Sequence, residues 1–295
     1  MFNEVRNNKF KSLILMFFFL IIIAGLGAII GLVYGSFYFG LIIAIIFSLI
    51  YILISYFSGD SMILAMSGAK EVTKKEYPYL FHTVEGLAIS AGMQTPKAYV
   101  IDDSALNAFA TGRDPKHASI TVTTGLLDKL NRQELEGVIA HEMSHVKNYD
   151  IRFMMLTAVL LGIVTLLSDF LLRSFLWGGH GRKKNAGNAT IILIVLGLLL
   201  AILSPIIGQM IKLAISRKRE YMADANGAIM TRYPPGLASA LRKISKDPDP
   251  LVDKANKSTA HLFISTPFRK QQGFVNRLFA THPPINERIK RLESM

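Results

Sequence analysis

Residues 13–57 contain no charged side chain, and this constrains the chain more than any other feature. A helix crosses the hydrocarbon core of a bilayer in about 20 residues, so the stretch is long enough for two crossings. Gly35-Ser36 near its middle is the natural place for a tight turn, because glycine turns without a steric penalty. A cleaved signal peptide is the competing reading. It fits poorly, since the run is too long and no small-residue cleavage site leads into a polar mature start. Arg6, Lys9 and Lys11 precede the run. Positive flanks stay cytoplasmic, so the amino-terminal tail is expected inside, with the hairpin returning the chain there near Gly59. Gly27, Gly31 and Gly35 recur every four residues, a spacing that removes bulk from one helix face and admits a close neighbour. Glycines are also common in membrane helices, and the pattern alone does not separate the two readings.

Further apolar blocks follow. Residues 153–168 are uncharged, and the segment extends towards Trp177 with Asp169 and Arg173 inside it, spaced to neutralise each other. Residues 190–211 form a fourth stretch, broken only by Pro205 and Gln209. The loop between them carries Arg182, Lys183 and Lys184, awkward for an outer loop. The inner flanks hold more positive charge, Lys70, Lys147, Arg152, Lys212 and Arg217 among them, so the topology is kept. Whether the third segment crosses fully stays open. The net charge of +12 suits a surface lying on anionic lipid. No basic-aromatic interleaving of the kind used by single-stranded RNA binders is present, so the expected partner is the lipid bilayer and not nucleic acid. The chain has no cysteine, which excludes disulfides, thiolate metal sites and thiol nucleophiles. Any metal must be held by His, Asp or Glu.

Residues 61–152 read as soluble. Residues 77–92 form an amphipathic helix pattern. Ala98-Tyr99-Val100-Ile101 and Ser119-Ile120-Thr121-Val122-Thr123 read as strands. Asn107-Ala108-Phe109-Ala110-Thr111-Gly112 fits another short strand, at an edge. Asn131-Arg132-Gln133-Glu134 resembles a capping box opening a helix that runs through His141 to about Asn148.

That helix carries His141-Glu142-Met143-Ser144-His145. Four residues apart on a helix, the two imidazoles share a face and can reach one ion. Glu142 is placed to act as base towards a water activated by that ion. The motif is specific without being decisive, since a polar helix face with two satisfied histidines has the same letters. The strongest candidate for a third ligand is Glu220, in Arg219-Glu220-Tyr221-Met222-Ala223-Asp224. Taken alone, Glu220 reads equally as a surface ion-pair partner. Asp224, one turn on, is placed to hydrogen-bond a ligating imidazole and fix its tautomer, and Asp150 is a rival for that task. If the helices continue unbroken from the third and fourth apolar segments, His145 and Glu220 both lie about 12 to 14 Å beyond the membrane edge; Asn148-Tyr149-Asp150 is where the first could instead bend. The histidine helix would then extend a membrane helix.

These motifs, in this order, resemble the integral-membrane zinc metalloproteases that include bacterial HtpX and the eukaryotic CAAX prenyl-protease. The resemblance covers essentially the whole chain. It implies one Zn2+ held by His141, His145 and Glu220, with Glu142 as catalytic base. It implies that Asn107-Ala108-Phe109-Ala110 is a substrate-binding edge strand. Thr281-His282-Pro283-Pro284 matches the family's carboxy-terminal His-Pro motif, which makes His282 a candidate oxyanion stabiliser, a loop-capping role being equally open. The expected fold is a mainly α membrane protein of four hydrophobic helices plus a gluzincin-like α+β zinc protease domain with a small sheet. The expected divisions are 1–57 (tail and first hairpin), 58–152 (sheet and zinc-binding helix), 153–212 (second hairpin) and 213–295 (third ligand). The implied activity is hydrolysis of misfolded or damaged membrane proteins at the cytoplasmic face of the bacterial cell membrane. Its rivals are a non-proteolytic membrane scaffold, a site-2-type intramembrane protease and a transporter.

Overall fold

The computed structural model describes residues 2–33, 35–178, 217–247, 259, 261–264 and 283–295. The fourth apolar stretch, the basic loop before it and His282 lie outside the described residues. The apolar amino-terminal half folds as two long helices, α1 (Phe2–Val33) and α2 (Phe37–Met66). Gly35 links them with φ +80°. Both helices are long and apolar enough to cross a membrane. Their outer faces carry Phe17, Phe39, Ile42, Ile46, Leu53 and Phe57, each more than half exposed. An apolar surface of this extent is accounted for by lipid, not water.

Backbone proximity holds the hairpin together. A Cβ on Gly27 would fall 2.1 Å from Ala44 Cβ, and one on Gly40 would fall 2.3 Å from the Gly27 oxygen and 2.6 Å from Gly31 Cα. Gly27 and Gly31 thus form the small face anticipated from their spacing. Gly35 does not belong to it: its surroundings are open, and its task is the positive φ of the turn.

A four-stranded mixed sheet follows, in the order β1 (Lys70–Glu71), β2 (Lys97–Ile101), β4 (His117–Thr123), β3 (Ala108–Asp114). The β2–β4 pair is parallel and the outer pairs are antiparallel. Strand period places alternate residues on opposite faces, and the two faces serve different cores. Ala98, Val100, Ala108, Ala110, Ile120 and Val122 pack into one apolar core with α3 (Pro78–Ala91) and α5 (Arg132–Lys147). Ile101 and Phe109 face the other core, made by α1, α2 and α6 (Asp150–Gly178). The short α4 (Thr124–Lys129) is capped by the Thr123 side chain, which accepts from the Leu126 amide. The carboxy-terminal part supplies α7 (Arg217–Thr231), α8 (Pro234–Lys246) and α9 (Ile285–Glu293).

The histidine helix does not run on into the third apolar segment. It ends at Lys147, Tyr149 takes a left-handed φ of 61°, and a new helix begins at Asp150. The assumption of an unbroken helix is therefore corrected. No proline or glycine marks the break, which falls at Asn148-Tyr149-Asp150, where the sequence leaves a bend open.

Replacing Gly40 by Leu should overpack the hairpin, at a cost of about 1–3 kcal/mol. Gly25→Leu, where a Cβ meets open space, should leave stability unchanged. Thermal unfolding of the detergent-solubilised protein checks both, and equal midpoints for the two variants would contradict the close-packed hairpin.

Candidate active site

The site is assembled by helices that bury polar residues against one another, with α5 lying on the sheet. Helix α5 starts from a complete capping box: the Glu134 amide donates to Asn131 Oδ1 at 3.0 Å, and the Asn131 amide donates to Glu134 Oε2 at 2.8 Å. From that fixed start the helix carries His141, Glu142 and His145 into the interior, none more than 5% exposed. Helix α7 brings Glu220 and Asp224, one turn apart and both buried. The approach is close because Gly227 faces the α5 backbone, where a Cβ would lie 3.1 Å from the His141 nitrogen.

Ligand atoms of His141, His145 and Glu220 lie within 4.8 Å of one another. The two Nε2 atoms are 3.2 Å apart, and Glu220 oxygens stand 3.8 Å from His141 Nε2 and 3.5 Å from His145 Nε2. Each Nδ1 is already engaged. His141 Nδ1 meets Asp224 Oδ1 at 2.9 Å, and His145 Nδ1 meets Asp150 Oδ2 at 3.0 Å. A carboxylate only accepts, so each Nδ1 carries the hydrogen and each Nε2 points its lone pair at the shared space when the ring is neutral. Asp150 and Asp224 are thus not rivals, since each orients a different histidine. Asp150 reaches His145 because of the helix break. In a continuous helix, a residue five positions on would point about 140° away.

Two buried arginines complete this arrangement, and neither was singled out from the motifs. Arg288 of α9 grips Asp224 with both Nε (2.9 Å) and Nη2 (2.7 Å), and its Nη1 lies 3.7 Å from Glu220 Oε2. Arg219 Nη1 meets Asp150 Oδ1 at 3.2 Å. The sequence signal for Arg288 was weak: one arginine in a charged, amphipathic terminal helix, six positions after His282.

Residues 74–295 match the sequence pattern of Peptidase family M48. The chain is 53% identical over 241 residues to the "Protease HtpX homolog" of Dictyoglomus thermophilum, spanning 82% of this chain and 77% of that protein. It is 42% identical over 295 residues to the corresponding protein of Tropheryma whipplei, spanning 100% of this chain and 98% of that one. The chain belongs to peptidase family M48. As an M48 member it is a metalloprotease, and its apolar hairpin and its relatives make it a membrane protein. The crystal structure of S. mikatae Ste24p shares its fold, with a TM-score of 0.53 at 18% identity over 99% of this chain and 67% of that one.

The M48 motif residues sit in strongly perturbed electrostatics. Burial pushes the Glu142 carboxyl up to about 7, opposed by His145 and by the Ala110 backbone amide that hydrogen-bonds it. For His145, burial disfavours the charge. The Asp150 hydrogen bond and the Glu220, Asp150 and Glu142 carboxylates outweigh it and raise the group to about 9. His141 is lowered by burial and by the Arg288 charge. Burial alone would raise Asp224, but Arg288 and His141 draw it down to about 2. The second proton of His145 therefore sits on Nε2, facing the unprotonated Nε2 of His141, in the space shared by the three ligand groups.

Beside the histidine helix, β3 is an edge strand and buries Asn107, Ala108, Phe109 and Ala110 around it. The Asn107 carbonyl accepts from the Thr123 amide, so odd-numbered residues face β4 and Ala108 and Ala110 turn their main chain outward. Part of that rim is already used. The Ile264 amide donates to the Ala108 oxygen at 2.9 Å, and Phe263 packs edge-on against Phe109.

Metal binding must displace the His145 proton, and the sign of the pH dependence follows. Below about pH 9 the metal-free site holds this proton, so binding releases it. Affinity should then rise with pH, by about tenfold per unit between roughly pH 6 and 8, and level off above His145's titration. Calorimetric zinc titrations in buffers of different ionisation enthalpy measure the release. A pH-independent affinity over that range would contradict it.

Proposed function

We propose that the chain is a membrane-embedded zinc endopeptidase that hydrolyses misfolded or damaged membrane proteins at the cytoplasmic face of the cell membrane. The observation that carries this reading is the convergence of two oriented imidazole nitrogens and the Glu220 carboxylate, with the Glu142 carboxylate on the next residue of the same helix. Two imidazoles and a carboxylate, leaving a position open, is a donor set suited to catalytic zinc. Charge supports the same ion. Among the described residues, the buried carboxylates of Glu142, Asp150, Glu220 and Asp224 stand beside two buried guanidiniums, Arg219 and Arg288. Once the His145 proton leaves, a divalent cation would take over the balance of that carboxylate-rich space.

Bound there, zinc would polarise the scissile carbonyl and make an attacking water acidic near neutral pH. Glu142 takes the proton from that water and passes it to the leaving amine. A carboxyl whose burial holds its proton to about pH 7 is matched to both halves of that transfer. Asp150 and Asp224 keep the imidazoles from rotating. Arg288 keeps the Asp224 carboxylate ionised in a buried setting, and Arg219 hydrogen-bonds Asp150. The substrate lies extended and adds to the rim of β3 through main-chain hydrogen bonds. Because Ile264 occupies the Ala108 oxygen and Glu142 the Ala110 amide, the register available to it runs from the Ala110 oxygen towards Gly112. Recognition of this kind reads backbone more than side chains, which suits substrates defined by misfolding.

The cytoplasmic placement is supported by Arg6, Lys9 and Lys11 ahead of the hairpin and by the positive-inside bias. A site-2-type enzyme would carry its ligands inside apolar spans, whereas α5 and α7 are polar helices packed on each other, with α5 lying on the sheet. A scaffold would have no use for two oriented imidazoles converging on a buried carboxylate. In the purified protein, Glu142→Gln should retain stoichiometric zinc and lose casein hydrolysis by at least about 100-fold. Glu220→Gln should lose zinc and activity together. Casein cleavage by Glu142→Gln at the wild-type rate would overturn the mechanism, and wild-type protein without zinc would favour the scaffold.

A further inference from the structure

Asn8 lies near the start of α1, in the segment that precedes the apolar run, where an amide is ordinarily left to solvent. It is instead only 1% exposed. Its Nδ2 donates to Asp150 Oδ1 at 2.7 Å and to the Asn148 carbonyl at 2.9 Å, and its Oδ1 accepts from Arg219 Nη1 at 3.2 Å. The next residue joins the same contact, with Lys9 Nζ 4.6 Å from the centre of the Tyr149 ring. Two consecutive residues of the first apolar helix therefore grip the turn formed by residues 148–150. That turn has a strained left-handed residue at its centre and no glycine, so it depends on outside contacts to keep its shape.

The consequence reaches the site through Asp150. One oxygen of this carboxylate is held by Asn8 and Arg219, and the other is presented to His145 Nδ1. We propose that Asn8 is a positioning residue of the metal centre, acting through Asp150 on His145, so that docking of the first membrane helix completes the ligand geometry. The inference rests on His141, His145 and Glu220 being the metal ligands. It adds that the amino-terminal hairpin, which lies outside the segment matching the family pattern, contributes to the site as well as anchoring it. Metal affinity is then coupled to correct seating of a helix in the bilayer.

The test is a double-mutant cycle on zinc affinity, measured on the full detergent-solubilised chain by competition with a chromophoric chelator. Asn8→Leu should weaken zinc by about 10- to 100-fold, as loss of groups that orient a ligand generally does. In an Asp150→Asn background, adding Asn8→Leu should change affinity by less than about threefold, because residues acting through one another are non-additive. A purely structural role would weaken zinc by the same factor in both backgrounds, and that result overturns the proposal. So does wild-type affinity in Asn8→Leu. Helical circular dichroism of the metal-free proteins checks folding, and Asn8→Ser takes the place of Asn8→Leu in the cycle if the leucine does not fold. Glu220→Gln is run alongside. If it binds zinc as tightly as wild type, the ligand assignment itself fails, a result distinct from wild-type affinity in Asn8→Leu with Glu220→Gln impaired.

Discussion

The backbone of α7 meets the backbone of α5 at one point, where Gly227 lies against His141, and the geometry of the site hangs on that contact. Glu220, Asp224 and Gly227 are spaced four and three residues apart, so they lie along one face of α7. With Gly227 seated, the two carboxylates preceding it arrive at the level of the two imidazoles. A Cβ there would lie 3.1 Å from the His141 nitrogen, so even alanine asks the two helices to part by a few tenths of an ångström, and a longer side chain by more. Such parting acts directly on ligands that now lie within 4.8 Å of one another. Helix α5 makes a second such contact at Gly137, where a Cβ would sit 2.7 Å from the Leu237 nitrogen of α8. The helix bearing the histidines is thus held between two neighbours whose backbones come close at glycines, with the apolar core packed around them.

That clamp brings a dense set of charges into a dry interior, and the set has an internal order. Each imidazole has its own carboxylate, and each carboxylate has its own guanidinium: His141 with Asp224 and Arg288, His145 with Asp150 and Arg219. Buried ion pairs contribute little net stability, because desolvation offsets the attraction. Their retention is better explained by what they hold in place. The unequal fates of the two histidines show the arrangement at work. Arg288 adds positive charge beside His141 and disfavours its protonation, while the surplus of carboxylates around His145 favours it. The proton that results lies between the two Nε2 atoms, where a cation is wanted.

Much of this was legible in the amino-acid order because it is local. The i, i+4 spacing of His141 and His145, the capping box at Asn131 and the turn at Gly35 are all settled within a few residues. The strands at residues 98–101 and 119–123 were legible from their β-branched and aromatic content, although the two-residue β1 was too short to signal. What escaped was non-local or chemically ordinary. Arg288 is separated from His141 by 147 positions and Asn8 from Asn148 by 140, and neither carries a motif. The break at residues 148–150 involves asparagine, tyrosine and aspartate, none of which forbids a helix. It is imposed by tertiary contacts from α1, and the height argument failed at that step because it treated α5 and α6 as one rod.

The break is also what joins the two halves of the molecule. Helix α6 begins at Asp150, whose carboxylate orients His145, and continues into the core shared with α1 and α2. Arg152, on its first turn, donates from Nε to the Arg113 carbonyl at the end of β3 and lies over the rings of Tyr56 and Tyr149. Arg113 in turn donates to the Phe57 carbonyl of α2. The strand proposed to receive substrate, the helix carrying the histidines and the apolar hairpin therefore meet at one junction of cations and aromatic rings. Such side chains favour the boundary between lipid and water. A shift of the hairpin relative to the sheet cannot be confined to the membrane part, because Asp150 and Arg113 belong to the histidine turn and the substrate rim respectively. Anchoring and the candidate metal site share the same few contacts, so the apolar hairpin and the protease part are mechanically one unit.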